Sequence, residues 1–188
     1  GMYNEECDPT LNQVTFIGNT STDYSGALFN YDSGPKVTDA IFDGNSSGHI
    51  GGAITNSGRT PVYKNVVFSN NTSTEGGAVA NYRGTITYQN VTFTGNSSKN
   101  NGGAVFNELT TVIFTDTEFT NNSTEEKGGA VHNYDTTATY TRVNFTNNHA
   151  GYSGAGMFSY EGNLYVTDAT FVGNTADLLG GGIANYLL

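Results

Sequence analysis

Seven times along this chain a Phe is followed three residues later by an Asn, at Phe16/Asn19, Phe42/Asn45, Phe68/Asn71, Phe93/Asn96, Phe119/Asn122, Phe145/Asn148 and Phe171/Asn174. The steps between successive Phe residues are 26, 26, 25, 26, 26 and 26. Self-similarity at one fixed period means a single supersecondary unit copied in line, each copy burying its apolar face against the next. A second landmark keeps the same period: Gly51-Gly52-Ala53-Ile54, Gly76-Gly77-Ala78-Val79, Gly102-Gly103-Ala104-Val105 and Gly128-Gly129-Ala130-Val131, with degenerate copies beginning at Ser25, Gly154 and Gly180. An Asn closes most of these stretches, at Asn30, Asn56, Asn81, Asn107, Asn133 and Asn185, and Ser159 stands in once.

Within a unit the apolar residues alternate. Pro61 and Tyr63, Ile86 and Tyr88, Val112 and Phe114, or Ala138 and Tyr140 precede the Phe by seven and five residues, and Val66, Val91, Thr117 or Val143 by two. Period two is the strand signature, and no stretch carries the period of a helix that could make α/β crossovers. The pattern predicts an all-β parallel β-helix, a solenoid of about seven coils of about 26 residues with three short strands per coil. At a strand spacing of about 4.8 Å the rod would be about 30 Å long.

Stacking explains why identities repeat. Equal positions of neighbouring coils lie on one another, so the Phe residues should form an inner aromatic column and the Asn residues an amide ladder satisfying buried turn backbone. Leu28, Ile54, Val79, Val105, Val131, Met157 and Ile183 should point into the core. Gly-Gly-Ala predicts a sharp bend into its strand, because small residues weaken a strand unless close approach or an unusual dihedral requires them.

Of the 188 residues, 36% are hydrophobic, lean for a globule but adequate for a thin solenoid core. The formal net charge is −10, and the seven basic residues, from Lys36 to Arg142, are scattered over the units. Nucleic acid is thereby disfavoured as a partner, since phosphate binding needs a concentrated basic footprint. Cys7 is the only cysteine, so no disulfide forms within the chain. No apolar run approaches the roughly 20 residues of a membrane helix, so this segment is not expected to insert in a membrane. Residues 1–188 read as a single β-helix repeat domain and as a fragment of a longer surface protein, with 1–10 a tag scar and N-terminal lead-in.

The paired tetrapeptides, Gly-Gly-Ala-[Ile/Val/Leu] and Phe-x-x-Asn, resemble the repeats of the chlamydial polymorphic outer-membrane proteins, from about Leu11 to Tyr186. A similar pattern occurs in adhesin-like surface proteins of other bacteria and of methanogenic archaea. The resemblance implies a right-handed parallel β-helix, secreted or displayed at the cell surface, outer membrane-associated if part of an autotransporter, and used for adhesion to host-cell proteins or glycans. In that family the rod precedes a C-terminal membrane barrel, whereas the present sequence stops at Leu188 within the repeat pattern.

The binding candidates are five Tyr residues that follow the strand-closing position directly: Tyr31, Tyr82, Tyr134, Tyr160 and Tyr186, with Ser57 and Glu108 interrupting the column. Exposed rings at coil spacing could stack on sugars or on a partner's apolar surface. The competing interpretation is that they pack on each other at a turn. The variable segments Ser21 to Tyr24, Thr74 to Glu75, Ser123 to Lys127 and Ala176 to Leu179 are the other expected footprint. The competing function is a carbohydrate-active enzyme, a polysaccharide lyase or glycosidase, which needs acidic or basic groups converging on one outward face.

The best acidic column, three residues before Phe, holds Asp39, Asn65, Asn90, Asp116, Arg142 and Asp168 and looks like charge balancing. No catalytic residue is therefore assigned. His49, His132 and His149 occupy three different repeat positions, so no metal site is expected, and nothing in the sequence calls for a cofactor. The sequons at Asn45, Asn96 and Asn122 fall on ladder residues and should be buried.

Overall fold

The computed structural model describes residues 1–187 and forms a parallel β-solenoid with about seven turns. Every strand pairing among the described residues is parallel, with partners one repeat apart: Phe68 lies between Phe42 and Phe93, and Phe119 between Phe93 and Phe145. The three expected strand positions are all present, in an upstream strand such as Val62–Lys64, a Phe strand such as Val67–Ser69 and an aliphatic strand such as Val79–Tyr82. In later coils they run together. Thr111–Thr120 spans the upstream and Phe positions, and Val131–Thr146 spans all three.

A fourth, shorter segment is added between the Phe strand and Gly-Gly-Ala. Thr20–Ser21, Ser46–Ser47, Thr72–Glu75, Ser97–Asn101, Ser123–Thr124, His149–Ala150 and Thr175–Ala176 form a separate seven-stranded sheet. These two to five mostly polar residues carry no hydrophobic alternation, so the sequence predicts no strand there, only variable turns. Their pairing is held by the backbone and by buried hydroxyls; the Ser98 Oγ donates to the Asn101 carbonyl at 3.1 Å and bonds the Thr124 Oγ1 at 3.0 Å. The lead-in also joins the stack, since Met2–Glu5 pairs with Leu28–Tyr31 and the Asn4 amide donates to Asn30.

Corners are turned by residues in the left-handed region. The position three before Phe is left-handed in every coil, from Gln13 (φ 54°) to Asp168 (φ 51°), and Asn121 (φ 55°) or Gly95 (φ 64°) bends the chain just before the ladder Asn. Gly-Gly-Ala has two separate causes. Gly102 holds φ 64°, and a Cβ on Gly103 would overlap the Gly129 carbonyl oxygen of the next coil. The expected bend into the aliphatic strand is thus a backbone packed against a backbone.

Inside, the Phe rings stack with centroids 4.6–5.1 Å apart and planes within 13° of parallel. A second column, Tyr63, Tyr88, Phe114 and Tyr140, stacks at 4.6–5.1 Å and meets the first edge-on, as at Phe114/Phe119 (5.4 Å, 70°). The aliphatic column from Leu28 to Met157 is fully buried, while Ile183 in the last coil is 37% exposed.

Two amide ladders flank this core. The ladder after Phe runs from Asn19 to Asn174, each Nδ2 donating to the Oδ1 of the next coil at 2.8–3.0 Å. The other runs through Asn4, Asn30, Asn56, Asn81, Asn107 and Asn133 at 2.8 Å per rung and ends on the Ser159 hydroxyl at 3.2 Å. Buried Tyr hydroxyls brace it: Tyr63 donates to the Asn56 Oδ1 at 2.7 Å, and Tyr88 and Tyr140 bond Asn81 and Asn133 seven residues earlier. Burial pushes these phenols well above the ordinary tyrosine range, so they remain protonated donors.

Candidate functional site

With the aliphatic residue and the Asn of each Gly-Gly-Ala strand turned inward, the two residues between and after them face outward. The five Tyr candidates therefore lie on one outer face. Tyr31 is 48% exposed and Tyr134 and Tyr186 are 39% exposed, while Tyr82 and Tyr160 are half-buried. They also touch one another and their neighbours. Tyr134 and Tyr160 stack at 5.7 Å with planes 5° apart, Tyr82 leans on Phe106 at 5.8 Å, and Tyr186 leans on Phe158 at 5.4 Å.

Beside the Tyr column lies a second outward row, not singled out in the sequence: Phe29, Phe106, His132 and Phe158, two residues earlier in their strands. Phe106, His132 and Phe158 are buried although they point away from the core. The chain entering Gly-Gly-Ala covers them, and Lys127 places its Nζ 5.2 Å above the Phe158 ring and 5.5 Å above Tyr152. Two shallow recesses open along this face. One, of about 310 Å³, is lined by Glu75, Asn101, Phe106, Glu108, His132 and Tyr134. The other, of about 220 Å³, is lined by Lys127, Tyr152, Phe158, Tyr160 and Tyr186.

His132 sits between Phe106 (5.4 Å) and Phe158 (5.0 Å), and its Nδ1 has no hydrogen-bond partner. Burial pushes its imidazole down to about 3; the Lys127 ammonium adds to the shift and the Lys127 backbone partly offsets it. The unfolded chain, with an ordinary histidine near 6.5, takes up this proton first. Stability from this group is therefore complete above about pH 6.5 and is lost as pH falls toward 3. Between pH 7 and 5 the protein should lose about 2 kcal/mol more than a His132→Phe variant, which continues the Phe row. Equal losses in denaturant titrations at the two pH values would show that His132 is not held neutral.

The opposite side of the covering segment forms a longer groove of about 730 Å³, lined by the short-strand sheet. Outward hydroxyls of Thr72, Ser97 and Ser123 floor it, and Lys99, Glu125 and Asp177 stand at its wall. Counting coils at about 4.8 Å, Glu125 and Asp177 are about 10 Å apart along the rod. The variable segments thus form the ridge between the two grooves: Thr74, Glu125 and Asp177 face the hydroxyl groove, while Glu75 and Lys127 face the aromatic recesses.

The acidic column three before Phe has a structural use. Each member occupies a left-handed corner, Asn65 donates to Asp39 at 2.8 Å and Asn90 to Asn65 at 2.9 Å. Arg142 grips both carboxylate oxygens of Asp116 at 2.6 and 3.0 Å, and this bond holds the Asp116 carboxyl below the usual range. The histidines stay apart, His49 near Asp23 at 3.9 Å and His149 on Thr175. The sequon residues Asn45, Asn96 and Asn122 are fully buried, as their ladder role requires.

The family model for the Chlamydia polymorphic membrane protein repeat matches residues 65–82, 90–108 and 116–134. These are the Phe and Gly-Gly-Ala stretches of three consecutive central coils, so the chain is similar there to a known repeat and solenoid family. No curated protein and no solved structure matches the chain.

Proposed function

We propose that this β-helix is a recognition rod, adhesin-like and secreted or displayed at a cell surface, which binds a host-cell surface protein or glycan through its aromatic face. The observation that carries this reading is the outer row of Tyr31, Tyr82, Tyr134, Tyr160 and Tyr186, of which Tyr134, Tyr160 and Tyr186 follow one another in successive coils and border the two recesses. The core consumes the repeated Phe and Asn, and these rings are the outward aromatic side chains that recur at one position of the repeat. Flat rings with a polar tip suit both sugar faces and protein surfaces. Similarity of three coils to a Chlamydia polymorphic membrane protein repeat supports placement at a surface.

Purified protein applied to glycan and host-surface-protein arrays should give saturable binding that a Tyr134→Ala/Tyr160→Ala double variant weakens about tenfold or more. Unchanged affinity with an intact fold would remove the aromatic face from the account.

A second reading, carbohydrate cleavage, is favoured by the hydroxyl groove, where Lys99, Glu125 and Asp177 share one wall. Two coils set Glu125 and Asp177 about 10 Å apart along the rod, close to the carboxyl separation of about 6.5–9.5 Å with which inverting glycosidases hold a water. Release of new reducing ends or unsaturated sugars from polysaccharides, abolished by Glu125→Gln, would establish it in place of simple binding.

A further inference from the structure

We infer that the recess lined by Glu75, Asn101, Phe106, Glu108, His132 and Tyr134 is a site for an organic cation, the ammonium or guanidinium head of a Lys or Arg side chain on a polypeptide partner. This rests on the reading of the aromatic face as the recognition face and names what one part of it receives.

The first argument comes from the rod itself. Lys127 shows what fits this face, since its Nζ lies over the rings of Tyr152 and Phe158. The stack carries the Lys127 position back to Asn101 one coil earlier, and Asn101 in turn pairs with Glu75. Phe158 likewise corresponds to His132 and then Phe106. At Phe158 the chain supplies its own cation beside the row. One and two coils earlier the same row is flanked by an amide and two carboxylates, and neither Lys nor Arg lines the recess.

Electrostatics and size agree. Glu75 and Glu108 both act on the half-buried Tyr82, whose phenol is pushed up first by burial and then by these carboxylates. The floor is formed by Phe106, with Tyr82 leaning on it, and by the His132 ring, which is 6% exposed with an unpartnered Nδ1. His132 is held neutral and adds no positive charge of its own; the cation that acts on it is Lys127, which lines the neighbouring recess. A metal ion is the wrong guest, because among the described residues no three His, Cys, Asp or Glu side chains converge as ligands. An alkylammonium or guanidinium instead uses both elements, the exposed Tyr134 ring for its stem and carboxylates for its head. About 310 Å³ accommodates one long side chain, and the net charge of −10 attracts a basic partner.

The test is chemical-shift titration of the isotope-labelled chain with N-acetyl-lysine amide, N-acetyl-arginine amide and a glucosamine oligomer. Saturable shifts centred on Phe106, His132 and Tyr134 with the amino-acid amides are expected, weakened about tenfold by Glu75→Gln/Glu108→Gln and unchanged by Glu118→Gln on another face. Absence of saturable shifts, or shifts indifferent to the double Gln variant, overturns the cation site. Shifts with the glucosamine oligomer alone overturn the assignment to a polypeptide. If the arrays give a ligand that needs Tyr134 and Tyr160 while both amides are silent, the recognition face stands and the cation site falls. If the amides bind and no array ligand does, the cation site stands and the broader reading falls.

Discussion

Phe93→Ala should destabilise the rod by about 3–5 kcal/mol, the cost of a large cavity that its surroundings cannot collapse to fill. The surroundings here are unusually fixed. Phe93 is fully buried between Phe68 and Phe119, each at 4.8 Å and within 5° of parallel, and Tyr88 and Phe114 press on it edge-on at 5.8 and 6.4 Å. Its neighbours above and below are held at strand spacing by the backbone ladder, so they cannot close the gap without breaking pairing. In a stack with nearest-neighbour coupling the damage should also be local to both interfaces of that coil. Denaturant unfolding gives the magnitude, and a midpoint within experimental error of the parent would mean that the Phe column does not carry the core.

The scaffold was legible because stacking turns every inward position into a column, and a column leaves a period in the sequence. Phe, ladder Asn and the aliphatic residue each recur seven times or nearly so, and each has one fixed environment. The outer surface obeys no such rule. The row of Phe29, Phe106, His132 and Phe158 is interrupted by Thr55 and Ala80 and ends on Ala184, so it reads as variable, and its burial depends on the segment that folds over it. The Ser/Thr strand was hidden for a different reason. Its stability comes from backbone pairing and hydroxyl bonds, which leave no apolar alternation to read. The five Tyr positions were visible because they adjoin the strand-closing residue, an Asn in four coils and Ser159 in one. Which of them border a recess depends on neighbours such as Glu75 and Lys127, contributed by segments whose length and composition change from coil to coil.

Asn96→Ala should cost about 2–6 kcal/mol, more than one ordinary hydrogen bond, because the amide closes four contacts at once. Its Nδ2 donates to the Phe68 carbonyl and to the Asn122 Oδ1, both at 3.0 Å, and its Oδ1 accepts from the backbone N–H and the Nδ2 of Asn71, also at 3.0 Å. Alanine leaves two donors of Asn71 buried and unpaired, and each such orphan carries a desolvation penalty of about 1–3 kcal/mol. Asp, of similar shape, isolates the donor half of the loss. It keeps the acceptors for Asn71, but it removes the donor and faces the Phe68 and Asn122 oxygens with like charge, so Asn96→Asp should be at least as damaging as alanine near pH 7. Protonating the Asp restores an O–H donor, so its deficit relative to Asn96→Ala should shrink as pH falls. A flat difference across that range would place the residue 96 side chain in solvent and leave the ladder without its rung.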